Sequence, residues 1–136
     1  MCGINGIIFK KNKIEIHKIL EMNMMLKHRG PDQSGFLKHN NLLLGHTRLS
    51  ILDLSKKGSQ PMSSDGRYWI VYNGEVYNYL EIKEDLIKKN YKFYSNTDTE
   101  VVLNAYKEWG VDSFQKFNGE WSFAILDKKN NEVIIC

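Results

Sequence analysis

From Gly3 the chain alternates small and apolar residues, Gly3-Ile4-Asn5-Gly6-Ile7-Ile8-Phe9. That spacing predicts a strand over Ile4 to Phe9, buried enough to keep the terminus from fraying. Helical spacing follows from Glu15 to Lys27, with Ile16, Ile19, Leu20, Met24 and Asn23 marking two faces and Met22, Met24 and Met25 expected as core gap-fillers. Arg29-Gly30-Pro31-Asp32 breaks the helix, and a strand pair is expected over Gly35 to Lys38 and Leu42 to Ile51. Asp53 to Gly66 reads as a long polar loop. Arg67 to Tyr72 has strong strand composition and runs into Asn73-Gly74-Glu75. A second helix fits Leu80 to Lys89, with Ile82, Leu86 and Ile87 sharing a face. A third opens at Thr97, where Glu100 completes a capping box and Val101, Val102, Ala105 and Tyr106 line the buried side. After a short helical turn over Val111 to Phe117, Glu120 to Asp127 and Glu132 to Cys136 form a hairpin across Lys128-Lys129-Asn130-Asn131. Paired strands with amphipathic helices between them imply an α+β architecture, helices covering packed antiparallel sheets, without internal repeat or linker.

Composition narrows the class. With 136 residues, 42% of them apolar, and no apolar run able to span a bilayer, the chain is one soluble globular domain or part of one, not a membrane protein. Met1-Cys2-Gly3 has neither the basic leader nor the cleavage site of a secretory signal. Cys2 and Cys136, at opposite ends, make neither a disulfide framework nor a metal-ligand spacing, which favours a reducing cytoplasm. The net charge of +3 comes from lysines scattered singly or in pairs at expected turns (Lys10-Lys11, Lys56-Lys57, Lys88-Lys89, Lys128-Lys129), so no nucleic-acid footprint is read. Only three residues are arginine, and two of these, Arg29 and Arg48, fall in the most motif-like stretches. A lysine cannot replace a planar fork. His17, His28, His39 and His46 lack the spacing of a metal site.

Candidate chemistry begins at Cys2. Removal of Met1 would place a thiol and a free α-amine on one residue, a nucleophile beside its own base. Asn73 and Gly74 can supply two donors to an oxyanion, the side-chain amide and the glycine N–H. Arg48 can clamp a carboxylate and Asp98 can hold an ammonium. Each has a plainer role as well. Asn-Gly is commonly a hairpin turn, Arg48 a strand charge, and Asp98 a favourable acid in a first helical turn. A Cys-His hydrolase using His28 or His46 against Cys2 is the enzymatic alternative; a non-catalytic regulatory or binding domain is the other.

Order and detail then combine. Cys2-Gly3-Ile4-Asn5-Gly6, His28-Arg29-Gly30-Pro31-Asp32, Gly45 to Asp53, Gln60-Pro61-Met62, Tyr72 to Asn78, Ser95 to Glu100 and Phe117 to Ile125 resemble, in order, the class II, N-terminal-nucleophile glutamine amidotransferase domain. The Arg48-Leu49-Ser50-Ile51 run is most similar to the glutaminase half of asparagine synthetases. The resemblance implies a four-layer αββα sandwich. It implies Cys2 as nucleophile, Asn73 and Gly74 as oxyanion hole, Arg48 on the glutamine α-carboxylate and Asp98 on its α-ammonium. Glu75 and the backbone of Leu49, Ser50, Ile51 and Leu52 would line the same pocket. L-glutamine is the implied substrate and no cofactor is implied for this domain; ATP and magnesium belong to a synthetase domain, and a homodimer is one arrangement open to the parent enzyme.

Two departures qualify the resemblance. Glu120-Trp121-Ser122 replaces the family's usual small and aromatic residues, so the final amide acceptor is aspartate or another group such as a sugar. The family's Arg-Asp turn, its Gly…Pro-Leu-Tyr segment and the synthetase's pyrophosphate loop do not occur in the chain, so residues 1–136 are expected to form a C-terminally truncated amidotransferase domain. By itself such a polypeptide is expected to aggregate through Val133-Ile134-Ile135-Cys136 and to show little glutaminase activity.

Overall fold

The computed structural model describes residues 1–10 and 15–136. Lys11, from one of the lysine pairs, lies outside the described residues. Among the described residues, two antiparallel three-stranded sheets form the centre. The first has the order β1-β3-β2, from β1 (Gly3–Ile8), β2 (Gln33–His39) and β3 (Leu42–Arg48). The second has the order β4-β5-β6, from β4 (Tyr68–Val76), β5 (Gly119–Asp127) and β6 (Glu132–Ile135). β3 is central and buried along its whole length, because alternate side chains enter two different layers. Leu42 and Leu44 meet Val71, Ala124 and Leu126 between the sheets. On the opposite face, Thr47 Oγ1 donates to Leu26 O at 3.2 Å beneath α1 (Ile16–Met25).

The outer face of the second sheet carries the larger core. Ile70, Tyr72, Val76, Phe123 and Ile125 pack against Ile82 and Leu86 of α2 (Tyr79–Lys88) and Val101, Val102 and Ala105 of α3 (Asp98–Trp109). Each such aliphatic side chain contributes about 1.5–3 kcal/mol through burial. The layers therefore run α1, first sheet, second sheet, α2 with α3, the αββα order that the resemblance implies.

Several local expectations change. α1 seats Ile19 and Asn23 against the first sheet, and Asn23 bonds Asn5 at 2.7 Å, Ser34 at 3.1 Å and Gly35 O at 3.0 Å. That narrow polar stripe leaves Met24 72% and Met25 77% exposed, so neither fills a core gap. Ile87 is exposed, since only the i, i+4 pair Ile82 and Leu86 faces inward, and Tyr106 is only partly buried. The helical turn over residues 111–117 is a 3₁₀ helix, Gly110–Lys116. The capping box at α3 is rewired. Thr97 Oγ1 accepts Glu100 N–H at 3.4 Å, but the Glu100 carboxylate accepts from Tyr94 N, Ser95 N and Ser95 Oγ instead of from Thr97. Arg67 closes the last hairpin by a two-bond fork onto Asp127, at 2.9 and 2.6 Å.

Candidate active site

β3 ends at Arg48, earlier than the hydrophobic pattern suggests, and the chain turns away so that Leu49, Ile51 and Leu52 face a cleft of about 170 Å³. Cys2, Arg48, Asn73, Gly74, Glu75 and Asp98 line the same cleft. Ser50 is not among its lining residues; its N–H is engaged by Asp32 Oδ2 at 2.7 Å. Met1 stands on the cleft wall, 71% exposed.

Cys2 precedes β1 and is fixed from two sides. Leu49 N–H points to Cys2 Sγ at 3.4 Å and Leu49 O lies 3.7 Å from it. Arg29 Nε donates to the Cys2 carbonyl at 3.1 Å, an assignment that sequence reasoning missed although Arg29 stood out by its rarity. The imidazoles are elsewhere. His28 Nδ1 lies 3.0 Å from Met25 O and His46 Nε2 3.1 Å from Tyr72 O, so neither is hydrogen-bonded to the sulfur. Burial holds His46 down at about pKa 4, a neutral ring that donates through Nε2.

Arg48 is a buried cation whose partners are all neutral oxygens. It donates to Gln33 Oε1 at 3.0 Å, Ser55 O at 2.8 Å and Asp53 O. Among the described residues no carboxylate pairs with it. A buried guanidinium bonded only to neutral oxygens, with the Asp53 carboxylate acting on it from farther off, is a ready seat for an incoming carboxylate. Gly58 makes room for it, since a Cβ there would fall on Arg48 Nη2.

Asn73-Gly74 is not a turn; both residues lie inside β4, opposite Ser122 and Trp121. Phe123 bonds Cys136 on the β6 side, so its β4 partner Tyr72 turns its own N–H and C=O to the free edge of the sheet. Alternate residues follow suit. Tyr68 N–H goes to Asp65, Ile70 N–H to Met62 O, Tyr72 N–H to Gln60 Oε1 and Val76 N–H to Asp98 Oδ2. By the same alternation Gly74 N–H turns outward into the cleft, and nothing among the described residues outside the sheet bonds to it. The Asn73 carboxamide likewise makes no bond within the described residues, so two donors are open at one place. A Cβ at Gly74 would lie 2.5 Å from Glu120 O.

Asp98, at the start of α3, is buried yet lines the cleft. Burial raises its carboxyl above the usual aspartate range, while Tyr72 Oη and Val76 N–H, both donating to Oδ2, pull the other way. Of Glu120-Trp121-Ser122, only Glu120 reaches the cleft; Trp121 packs edge-on against Phe117 in the helical layer.

The family model described as "Glutamine amidotransferase domain" matches residues 1–136. The chain is 44% identical to a putative glutamine-hydrolyzing asparagine synthetase 2 of Methanocaldococcus jannaschii, covering 100% of this chain and 29% of that protein. It is 39% identical to glutamine-hydrolyzing asparagine synthetase 1 of Bacillus subtilis, covering 96% of this chain and 21% of the relative. Among solved structures, glutamine phosphoribosylpyrophosphate amidotransferase from B. subtilis, complexed with ADP and GMP, superposes with a TM-score of 0.80 at 19% identity, over 100% of this chain and 37% of the other. That likeness is one of fold. The chain thus spans less than a third of the length of these curated relatives.

Proposed function

This chain belongs to the glutamine amidotransferase domain family, and on that footing we propose that it hydrolyses the side-chain amide of L-glutamine through Cys2. With Met1 removed, the Cys2 α-amine takes the thiol proton as sulfur attacks the amide carbon. Asn73 Nδ2 and Gly74 N–H receive the oxyanion. Collapse expels ammonia, which leaves with the proton returned by the amine, and water then cleaves the thioester to glutamate. Arg48 holds the α-carboxylate, Asp98 the α-ammonium, and Glu75 with the backbone of Leu49, Ile51 and Leu52 closes the walls. The observation that carries the reading is the meeting, in one cleft, of a thiol, a buried guanidinium bonded only to neutral oxygens, a buried carboxylate and an open strand-edge N–H.

In the whole protein the released ammonia would pass to an ATP- and magnesium-dependent synthetase domain that amidates aspartate, as the names of the relatives suggest, or another acceptor. Residues 1–136 are then the amidotransferase unit of a longer cytoplasmic ligase of amino-acid biosynthesis; both cysteines are free, in keeping with a reducing compartment. Among the described residues no helix is long and apolar enough to cross a membrane. Intact mass before and after a glutamine-analogue electrophile tests the reading. One adduct on Met1-free protein, absent in Cys2→Ala, is expected; an equal adduct on the Met1-retaining form would remove the α-amine from the mechanism.

A further inference from the structure

Gln60-Pro61-Met62 is a motif that the proposed chemistry leaves without a task. Its first residue sits where three elements meet. Gln60 Oε1 accepts Tyr72 N–H at 2.6 Å, and Gln60 Nε2 donates to Thr99 Oγ1 at 3.3 Å. The side chain is buried. Its backbone lies against β2, where Gly35 leaves no room for a Cβ beneath the Gln60 carbonyl. Met62 continues the segment as a strand partner of Ile70, with bonds of 2.9 Å in both directions. At the same residue, on the peptide that leads into Asn73, His46 Nε2 donates to Tyr72 O.

Resting on the amidotransferase reading, we propose that Gln60 is a positioning residue for the oxyanion donors: its carboxamide, fixed between Tyr72 N–H and Thr99 Oγ1, sets the backbone that carries Asn73 and Gly74. Tyr72 is the residue immediately before Asn73, so its N–H and C=O define the strand plane from which Gly74 N–H projects. β4 is the free edge of its sheet here, without a neighbouring strand to hold it. At Tyr72 the edge N–H is taken by the Gln60 side chain, between the Met62 bridge to Ile70 and the Asp98 bond from Val76 N–H. An amide suits the task because one end must accept and the other donate. A carboxylate would accept as well, but would add a second buried charge near Asp98. The Thr99 bond ties the same carboxamide to the start of α3, so the oxyanion strand and the Asp98 seat move as one body.

Gln60→Met keeps length and volume and removes both bonds. In the full-length parent enzyme freed of Met1, it is expected to lower kcat for glutamine hydrolysis tenfold or more, with KM changed less than about threefold, because oxyanion donors act in the transition state. Thr99→Val should lower kcat less, and the double variant should be no worse than Gln60→Met. Without substrate, amide hydrogen exchange at Tyr72 should speed up in Gln60→Met. A fall in Tm with kcat unchanged, a rise in KM alone, or unaltered exchange at Tyr72 would overturn the proposal. Should Gln60→Met not fold, Thr99→Val and Gly35→Ala, which presses on the Gln60 carbonyl from β2, carry the same test. A wild-type full-length parent enzyme inert toward glutamine would defeat the amidotransferase reading instead, and the exchange measurement would then judge Gln60 independently.

Discussion

Tyr72 Oη lies 2.7 Å from Asp98 Oδ2, and the same oxygen receives Val76 N–H at 3.1 Å. Both bonds fall on one oxygen of a buried carboxylate, so the side chain is fixed in orientation without a cation beside it. Burial raises the Asp98 carboxyl in the fold, and pushes the Tyr72 phenol up too. Ionised Asp98 therefore works against folding. What this group contributes to stability is whole below its unfolded value, about pH 4, and is lost as pH rises through the folded value.

Asp98→Asn is accordingly expected to fold at pH 7 with a Tm no lower than wild type while KM for glutamine rises tenfold or more. The amide oxygen can still take both bonds on its side. Calorimetry and steady-state kinetics check the two halves separately; an unchanged KM would show that Asp98 does not touch the ammonium.

His46 gives the opposite pH dependence. Its value falls from 6.5 to about 4 on folding, so its contribution is full above about pH 6.5 and disappears as pH drops toward 4. The stake is at most about 3 kcal/mol. Urea titrations at pH 7.5 and pH 5 should show a larger loss for wild type than for His46→Gln, which retains a donor for Tyr72 O. Equal losses would mean that the ring titrates freely.

Arg48→Lys replaces a fork by a point charge and should raise KM with a smaller change in kcat. Gly58→Ala should resemble it from outside, since the new methyl displaces Nη2 and sits 2.7 Å from Arg48 Cζ. Overpacking of this kind costs about 1–3 kcal/mol. A Gly58→Ala enzyme with wild-type KM would separate the guanidinium's position from substrate binding.

Loss of the Asn73 amide is expected to cost about 10²–10³ in kcat, or about 2.7–4 kcal/mol, with modest change in KM. The contrast with Arg48→Lys is the informative quantity. Were Asn73→Ala to raise KM and spare kcat, its amide would be a ground-state contact.

The main elements were legible because strand alternation and helical spacing are local properties, as in Tyr68–Val76 and Asp98–Trp109. Misreadings came where a layer overrode the pattern. Met24 and Met25 look like core until Asn23 takes the inward stripe through three bonds to β1 and β2. Ile51 extends an apolar run but leaves β3, which stops at Arg48. Cys2, Arg48 and Asp98 could be picked out by residue type and motif. The roles of Arg29 and Gln60 could not, because each acts on a backbone atom of a distant residue, Cys2 O and Tyr72 N, and a backbone partner leaves no mark on composition or spacing.

The seam between the sheets has a consequence for how the molecule comes into being. Arg48 belongs to the first sheet, which Cys2 immediately precedes, Asn73 and Gly74 to the second, and Asp98 to a helix packed outside it. Neither half-sandwich holds Cys2 together with Asn73 and Gly74, the residues of the proposed attack and oxyanion hole. Each sheet can pair its own strands while the chain folds, yet chemical competence waits for the long-range docking of both, the slow step where contacts are far apart in sequence. It should also be the first property surrendered when the layers loosen, ahead of any loss of strand or helix.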